Sequence, residues 1–189
     1  VDKFDFEYED KDHVYHVDRG LTPVEFFQKY VGMELDNYVS VINAPTKDKP
    51  FGKTYTVSYI GNVVNEPICY LNLPMEEMKA LAIQQMKDGE VVWFGSDCGK
   101  FGSRKDGIWD PDSFVFDQLL GMDLSMTKEE SLDGCNSAMN HAMVLTGVNL
   151  DENGRPNRWK IENSWGPEAG QNGYFIASDK WFDLQTYQV

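Results

Sequence analysis

Residues Asn140-His141-Ala142-Met143-Val144-Leu145 and Trp159-Lys160-Ile161-Glu162-Asn163-Ser164-Trp165-Gly166 are joined by Asp151-Glu152-Asn153-Gly154-Arg155-Pro156. The two outer stretches read as strands, and the Asn-Gly pair between them supplies the positive φ that a tight hairpin needs. In such a hairpin the start of the first strand and the end of the second lie at the same end of the sheet, so His141 and Asn163 become neighbours. The Asn163 carboxamide oxygen can then accept from one ring nitrogen of His141. That bond fixes tautomer and rotamer and leaves the other nitrogen free to move a proton. Trp165 stands where an indole face covers the bond and keeps water from competing for it. A histidine opening an apolar strand is by itself most often a packed residue, and Asn163-Ser164-Trp165-Gly166 alone reads as a strand-ending turn. Found together, and followed by Gly173-Tyr174-Phe175, they point to a general base with its orienter.

Working outward, strands are predicted over 142–149, 159–162, 173–177 and 184–189. Upstream, Pro74 opens a helix over 75–87 that Gly89 stops, with Met75, Met78, Leu81, Ala82, Gln85 and Met86 on one stripe. A methionine stripe of this kind reads as core. Thr22, Pro23 and Glu25 have the N-cap, first-turn and N3 chemistry of a helix over 23–31. Residues 43–52, with Pro45 and Pro50, read as a loop. Residues 55–60, 68–71 and 90–94 read as strands, 95–107 as a glycine-rich loop, and 113–120 and 127–132 as helices. Helices precede an antiparallel sheet, so the class is α+β. The expected division is a helical and loop lead-in over 1–52 and a β domain over 53–189.

The chain has 189 residues, 41% hydrophobic and 13% aromatic, enough to bury a core. A net charge of -14 repels phosphate backbones and anionic membrane surfaces, which excludes nucleic-acid binding and gives no reason to expect a membrane partner. The acidic excess mildly favours substrates with a free amine, although such an excess commonly serves only to keep a protein dispersed. No apolar run is long enough to cross a bilayer, and residues 1–12 are acidic where a signal peptide is basic and then apolar. Cys69, Cys98 and Cys135 form an odd set without framework spacing, which reads as reduced thiols in the cytoplasm. The first residue is not methionine and the last five read as the inside of a strand, so a piece of a longer chain is expected.

An imidazole with an orienting carboxamide serves a thiol nucleophile, because a thiolate is reactive and the imidazole forms an ion pair with it. No cysteine here occupies a convincing nucleophile position. Cys98, within Gly95-Ser96-Asp97-Cys98-Gly99, lacks a following tryptophan and a helix whose dipole would stabilise a thiolate. Cys135 precedes His141 too closely, and Cys69 falls in a predicted strand. His13 and His16 lie among acidic residues but have no third ligand, so no metal site is expected. The glycines of 95–107 form no phosphate-binding fingerprint, and no cofactor is expected.

The His141 strand, Trp159-Lys160-Ile161-Glu162-Asn163-Ser164-Trp165-Gly166 and Gly173-Tyr174-Phe175 resemble the papain superfamily of cysteine peptidases. The run from Asp88 to Lys100, Thr22-Pro23-Val24-Glu25-Phe26-Phe27 and Asp179-Lys180-Trp181-Phe182 resemble its bleomycin hydrolase and aminopeptidase C branch. The resemblance implies a papain-like fold, here mainly the antiparallel β domain with accompanying helices. It implies an intracellular aminopeptidase, a homo-hexamer, that removes residues from peptide N-termini through a Cys-His-Asn triad. By the same resemblance His141 is the base, Asn163 the orienter and Trp165 the shield, while Met139, Asn140 and Ala142 line the substrate cleft. The branch's nucleophile motif and the glutamine before it are missing, and in papain-like enzymes the nucleophile lies roughly 130 to 150 residues before the histidine. The chain is therefore expected to be inactive alone, to need an N-terminal segment bearing the nucleophile, and to expose an apolar face through which it self-associates or which a partner covers. A different reading is a non-catalytic half-domain that binds peptides or partners. A secreted or lysosomal relative conflicts with the cysteine count.

Overall fold

The computed structural model describes residues 2–58 and 67–189, and the chain divides into two compact units, Val1–Val39 and Ser40–Val189. The smaller unit opens with strands β1 (Phe4–Glu9) and β2 (Tyr15–Leu21), paired antiparallel. Alternation puts Phe4, Phe6 and Tyr8 on one face of this hairpin. There Phe6 meets Phe26 and Tyr30, each ring at 4.8 Å. A lone two-stranded hairpin is marginal in water, and the aromatic cluster supplies the packing it lacks. Phe26 and Tyr30 come from α1 (Pro23–Phe26) and the wider π-type turn that continues it over Phe27–Val31. Thr22 and Glu25 form the predicted capping box, and Gly32 ends the turn in a left-handed conformation at φ 62°. The lead-in is thus half hairpin, a departure from the helical and loop reading, because acidic residues interleaved with the aromatics disguise the strand alternation. The unit boundary falls at Val39/Ser40 and not at 52, since β3 (Ser40–Ile42) already belongs to the large sheet.

That sheet uses β4 (Thr54–Tyr55), β5 (Tyr70–Asn72), β6 (Val92–Ser96), β7 (Gly102–Ser103), β8 (Ile108–Trp109), β9 (His141–Leu150), β10 (Pro156–Glu162), β11 (Tyr174–Ser178) and β12 (Thr186–Gln188). With β3 the order among the described residues is β4-β5-β3-β12-β6-β9-β10-β11-β8-β7. All pairings are antiparallel except β3 with β5 and β8 with β11. The helices are α2 (Met75–Lys87), α3 (Phe116–Leu120), α4 (Lys128–Asp133) and α5 (Asp179–Gln185). The fold is α+β.

The core lies where α2 and α5 cover the centre of the sheet. Phe182 of α5 stacks on Trp159 of β10 at 4.1 Å, and Trp181 stacks on Trp109, which in turn stacks on Phe175. Trp159, Trp181 and Phe182 are fully buried. Their indole N–H groups are not orphaned: Trp159 Nε1 donates to Asp179 Oδ1 at 2.9 Å and Trp181 Nε1 to the Lys100 carbonyl at 2.9 Å. Helix α2 buries Met78 and Ala82 as its stripe predicts, but Leu81 is half exposed and the aliphatic stem of Lys79 goes inside instead. Its ammonium reaches Asp179 at 2.7 Å and Asp183 at 2.5 Å.

Helix α5 replaces the front of the strand predicted over 184–189, because Ser178 caps it by accepting from the Trp181 N–H. The strand read over 55–60 is realised only at Thr54–Tyr55, and Tyr59 and Ile60 lie outside the described residues. Residues 95–107 are less loop-like than predicted, since β6 runs on to Ser96 and β7 and β8 form a small hairpin.

Lys128, capped into α4 by Thr127, is buried. Its ammonium donates to Asn43 Oδ1 at 2.7 Å and to the Thr186 carbonyl, and it sits over the Tyr187 ring. Desolvation holds it well below the ordinary lysine range. The unfolded chain therefore binds more protons in the window between the folded value and the ordinary one, so stability rises with pH there. Lys128→Met is expected to flatten the rise of unfolding free energy with pH just below the ordinary lysine range. Urea titrations at several pH values check this, and parallel slopes for the two proteins would refute it.

Candidate active site

His141 is the first residue of β9, and Asn163 follows the last residue of β10. On its other flank His141 pairs with Ser96 at the end of β6, so the ring stands where three strands terminate together. His141 Nε2 lies 2.8 Å from Asn163 Oδ1. The Ser164 N–H also points at Oδ1, at 2.8 Å. A backbone N–H can only donate, so the atom facing it is the carboxamide oxygen. His141 Nε2 must then be a donor as well. In the neutral ring this leaves Nδ1 unprotonated, and among the described residues no hydrogen bond occupies it.

The Asn163 backbone N–H donates to the Gly173 carbonyl at 3.0 Å, which ties the turn after β10 to the start of β11. Gly173 adopts φ 87°, a conformation that favours glycine at this close approach. Asn163 is buried, and its Nδ2 has no partner among the described residues. Both donors at Oδ1 hold the amide in this orientation despite that cost.

Trp165 stacks on the His141 ring with centroids 5.3 Å apart and an interplanar angle of 22°. It is held in turn by the edge of Phe175 at 5.5 Å, by Trp109 at 5.9 Å and by the Arg104 guanidinium at 5.2 Å. The indole that lies over the imidazole is thereby continuous with the hydrophobic core. An unprotonated Nδ1, a donor-locked Nε2 and an aromatic lid together make a base that can take a proton and return it without turning.

The model of the Peptidase C1-like family matches residues 1–189. The chain belongs to the Peptidase C1-like family. It is 56% identical over 190 residues to Aminopeptidase C of Streptococcus thermophilus, covering 99% of this chain and 42% of that protein. Aminopeptidase G of Lactobacillus delbrueckii subsp. lactis is 43% identical over 98% of this chain. Among solved structures, pepW from Lactobacillus rhamnosis is 54% identical with a TM-score of 0.94, covering all of this chain and 42% of that one. The chain thus spans about two fifths of the length of the relatives it matches.

The other sequence-predicted residues of this family member fall as follows. Met139 is half exposed and lies across Gly95, where an added Cβ would come within 2.2 Å of its sulfur. Ala142 pairs with Gly95 in the β6–β9 register and is exposed beside it. Asn140 is different. Its Nδ2 donates to Asp97 Oδ1 at 2.7 Å and its Oδ1 accepts from the Cys98 N–H at 3.1 Å, so its carboxamide is engaged within the chain although the residue is exposed. Asp97 and Ser137, which hold this region, carry no periodic or motif signal and were not legible as site residues. His13 and His16 bond separately to Glu9 and Asp10 on the first hairpin, and among the described residues no cluster of three potential metal ligands exists.

Among the described residues no hydrogen bond joins Cys98 to His141. Burial, with the Asp97 carboxylate adding to it, pushes the Cys98 thiol above its ordinary value. Cys69 and Cys135 are exposed. Maleimide at neutral pH is expected to modify Cys69 and Cys135 first and Cys98 last, read by peptide mass spectrometry. Fastest labelling at Cys98 would overturn its exclusion as a nucleophile.

Proposed function

We propose that this chain carries the base and orienter of a cysteine aminopeptidase related to bleomycin hydrolase, working on peptide N-termini in the cytoplasm. The observation that carries the reading is the 2.8 Å bond between His141 Nε2 and an Asn163 Oδ1 whose identity the Ser164 N–H fixes. Similarity to Aminopeptidase C supports the substrate class, and three unpaired cysteines support the compartment.

In the reaction, His141 Nδ1 takes the proton of a thiol supplied from outside this chain, and the thiolate attacks the carbonyl of the first peptide bond. The imidazolium gives that proton to the leaving amine as the C–N bond breaks and a thioester forms. Water then attacks the thioester, with Nδ1 again taking and returning a proton, and releases the free amino acid. Through both steps Asn163 keeps Nε2 protonated and the ring in plane. His141, Asn163 and Trp165 are thus base, orienter and shield, with Met139 and Ala142 beside the cleft.

The chain alone is expected to release no arylamine from aminoacyl-arylamides, and activity is expected once a nucleophile-bearing segment completes it. In the completed enzyme His141→Ala should lower kcat by about 10³-fold or more and Asn163→Ala by about 10- to 100-fold. Turnover by the chain alone that Cys98→Ala abolishes would refute the missing-nucleophile reading. Failure of every nucleophile-bearing segment to restore turnover would favour a peptide-binding module instead.

Val115, Phe116, Leu119, Leu120, Met122 and Met126 are all exposed within one short stretch around α3. This apolar strip supports the proposal that a further segment or neighbouring subunits of a homo-hexamer cover it. The chain alone is accordingly expected to self-associate and to brighten an apolar dye. Sedimentation as a compact monomer that leaves the dye dark would count against that cover.

A further inference from the structure

We propose that Asp97 is the residue that positions His141, acting through Asn140 and Ser137. The proposal deepens the reading given above, since it concerns the same imidazole. Asp97 is only 4% exposed and directly follows Ser96, the residue paired with His141. A buried carboxylate is costly unless its oxygens are bonded, and here both are. Oδ1 accepts from Asn140 Nδ2 at 2.7 Å and from the Gly99 N–H at 3.3 Å. Oδ2 accepts from the Ser137 hydroxyl at 2.7 Å.

Ser137 and Asn140 are the two ends of the run 137–140 that leads into β9. One carboxylate therefore clamps the approach to His141 at both ends. Asn140 completes the clamp: its Oδ1 accepts from the Cys98 N–H, and its own N–H donates to the Ser96 carbonyl at 3.0 Å. The far side is anchored to the core, because the Asp97 N–H donates to the Gln185 carbonyl at 2.9 Å and the Tyr187 hydroxyl donates to Ser137 Oγ at 2.6 Å. A shift of this run carries the first residue of β9 with it, and the imidazole must stay within hydrogen-bond reach of Asn163 to keep one tautomer. Asn140 thus serves the site as a member of the clamp.

The test uses this chain itself and reads the ring nitrogens of His141 by ¹⁵N NMR with the imidazoles neutral. There are three histidines, so His141→Ala assigns the signals. The wild type is expected to show protonated Nε2 and unprotonated Nδ1. Asp97→Ala removes the clamp, and Asn140→Asp sets two carboxylates against each other. Each is expected to lose the single tautomer. The double variant Asp97→Asn/Asn140→Asp restores a donor facing an acceptor with roles exchanged, and recovery of the single tautomer is expected. Val41→Ala in β3 weakens the core without touching the clamp and should keep the wild-type pattern.

A single tautomer retained in both single variants, no recovery in the double variant, or an equal loss in Val41→Ala would overturn the proposal. Should Asp97→Ala fail to fold, Asn140→Asp with its double variant decides alone. Mixed tautomers in the wild type would instead overturn the Asn163 reading, and this one with it.

Discussion

One oxygen atom organises this protein's chemistry. Asn163 Oδ1 receives two donors, the Ser164 N–H and His141 Nε2, each at 2.8 Å. The first is covalently bound to remain a donor, and that asymmetry propagates outward: it fixes the amide, the amide fixes the ring's tautomer, and the tautomer leaves Nδ1 as the basic atom. The arrangement needs no charge on Asn163. A carboxamide orients without the strong pull of a carboxylate, so the neutral imidazole keeps its proton on Nε2 without an ion pair.

Everything that holds this oxygen in place is packing or backbone. Asn163 stands at the end of β10, whose Trp159 and Ile161 are fully buried, and its N–H is tied to the Gly173 carbonyl. Trp165 couples the imidazole to the aromatic stack of Trp109, Phe175 and Trp181. Close-packed interiors transmit strain, so the site's geometry rests on the core's integrity. On the opposite flank, the start of β9 is held by hydrogen bonds around the buried Asp97 carboxylate. The ring rests on the Trp165 face, while a polar cluster holds the run that leads into its strand.

The Asn-Gly hairpin, most of the α2 stripe and the Thr22–Glu25 capping box were legible because each is a local pattern with a local cause. The first hairpin was not, since Glu7, Glu9 and Asp10 mask its alternation, and its stability comes from Phe26 and Tyr30 later in the chain. Helix α5 was missed because Ser178 as a cap becomes decisive only once Trp181 and Phe182 have a sheet to pack on. Lys79 and Lys128 turning inward could not be read from composition, because their partners Asp179, Asn43 and Thr186 are distant in sequence.

The sequence by itself determined which residues could meet: the hairpin's turn and period place His141 and Asn163 at one end of a sheet whatever surrounds them. Only the tertiary structure decided which ring nitrogen is the donor, because that depends on the Ser164 N–H sharing the acceptor oxygen. The same holds for the role of Asn140, which sequence placed in the cleft and whose carboxamide is spent on Asp97 and Cys98. Local periodicity reports the direction of the backbone, but a polar side chain's partner is set by the long-range pairing of β6 with β9.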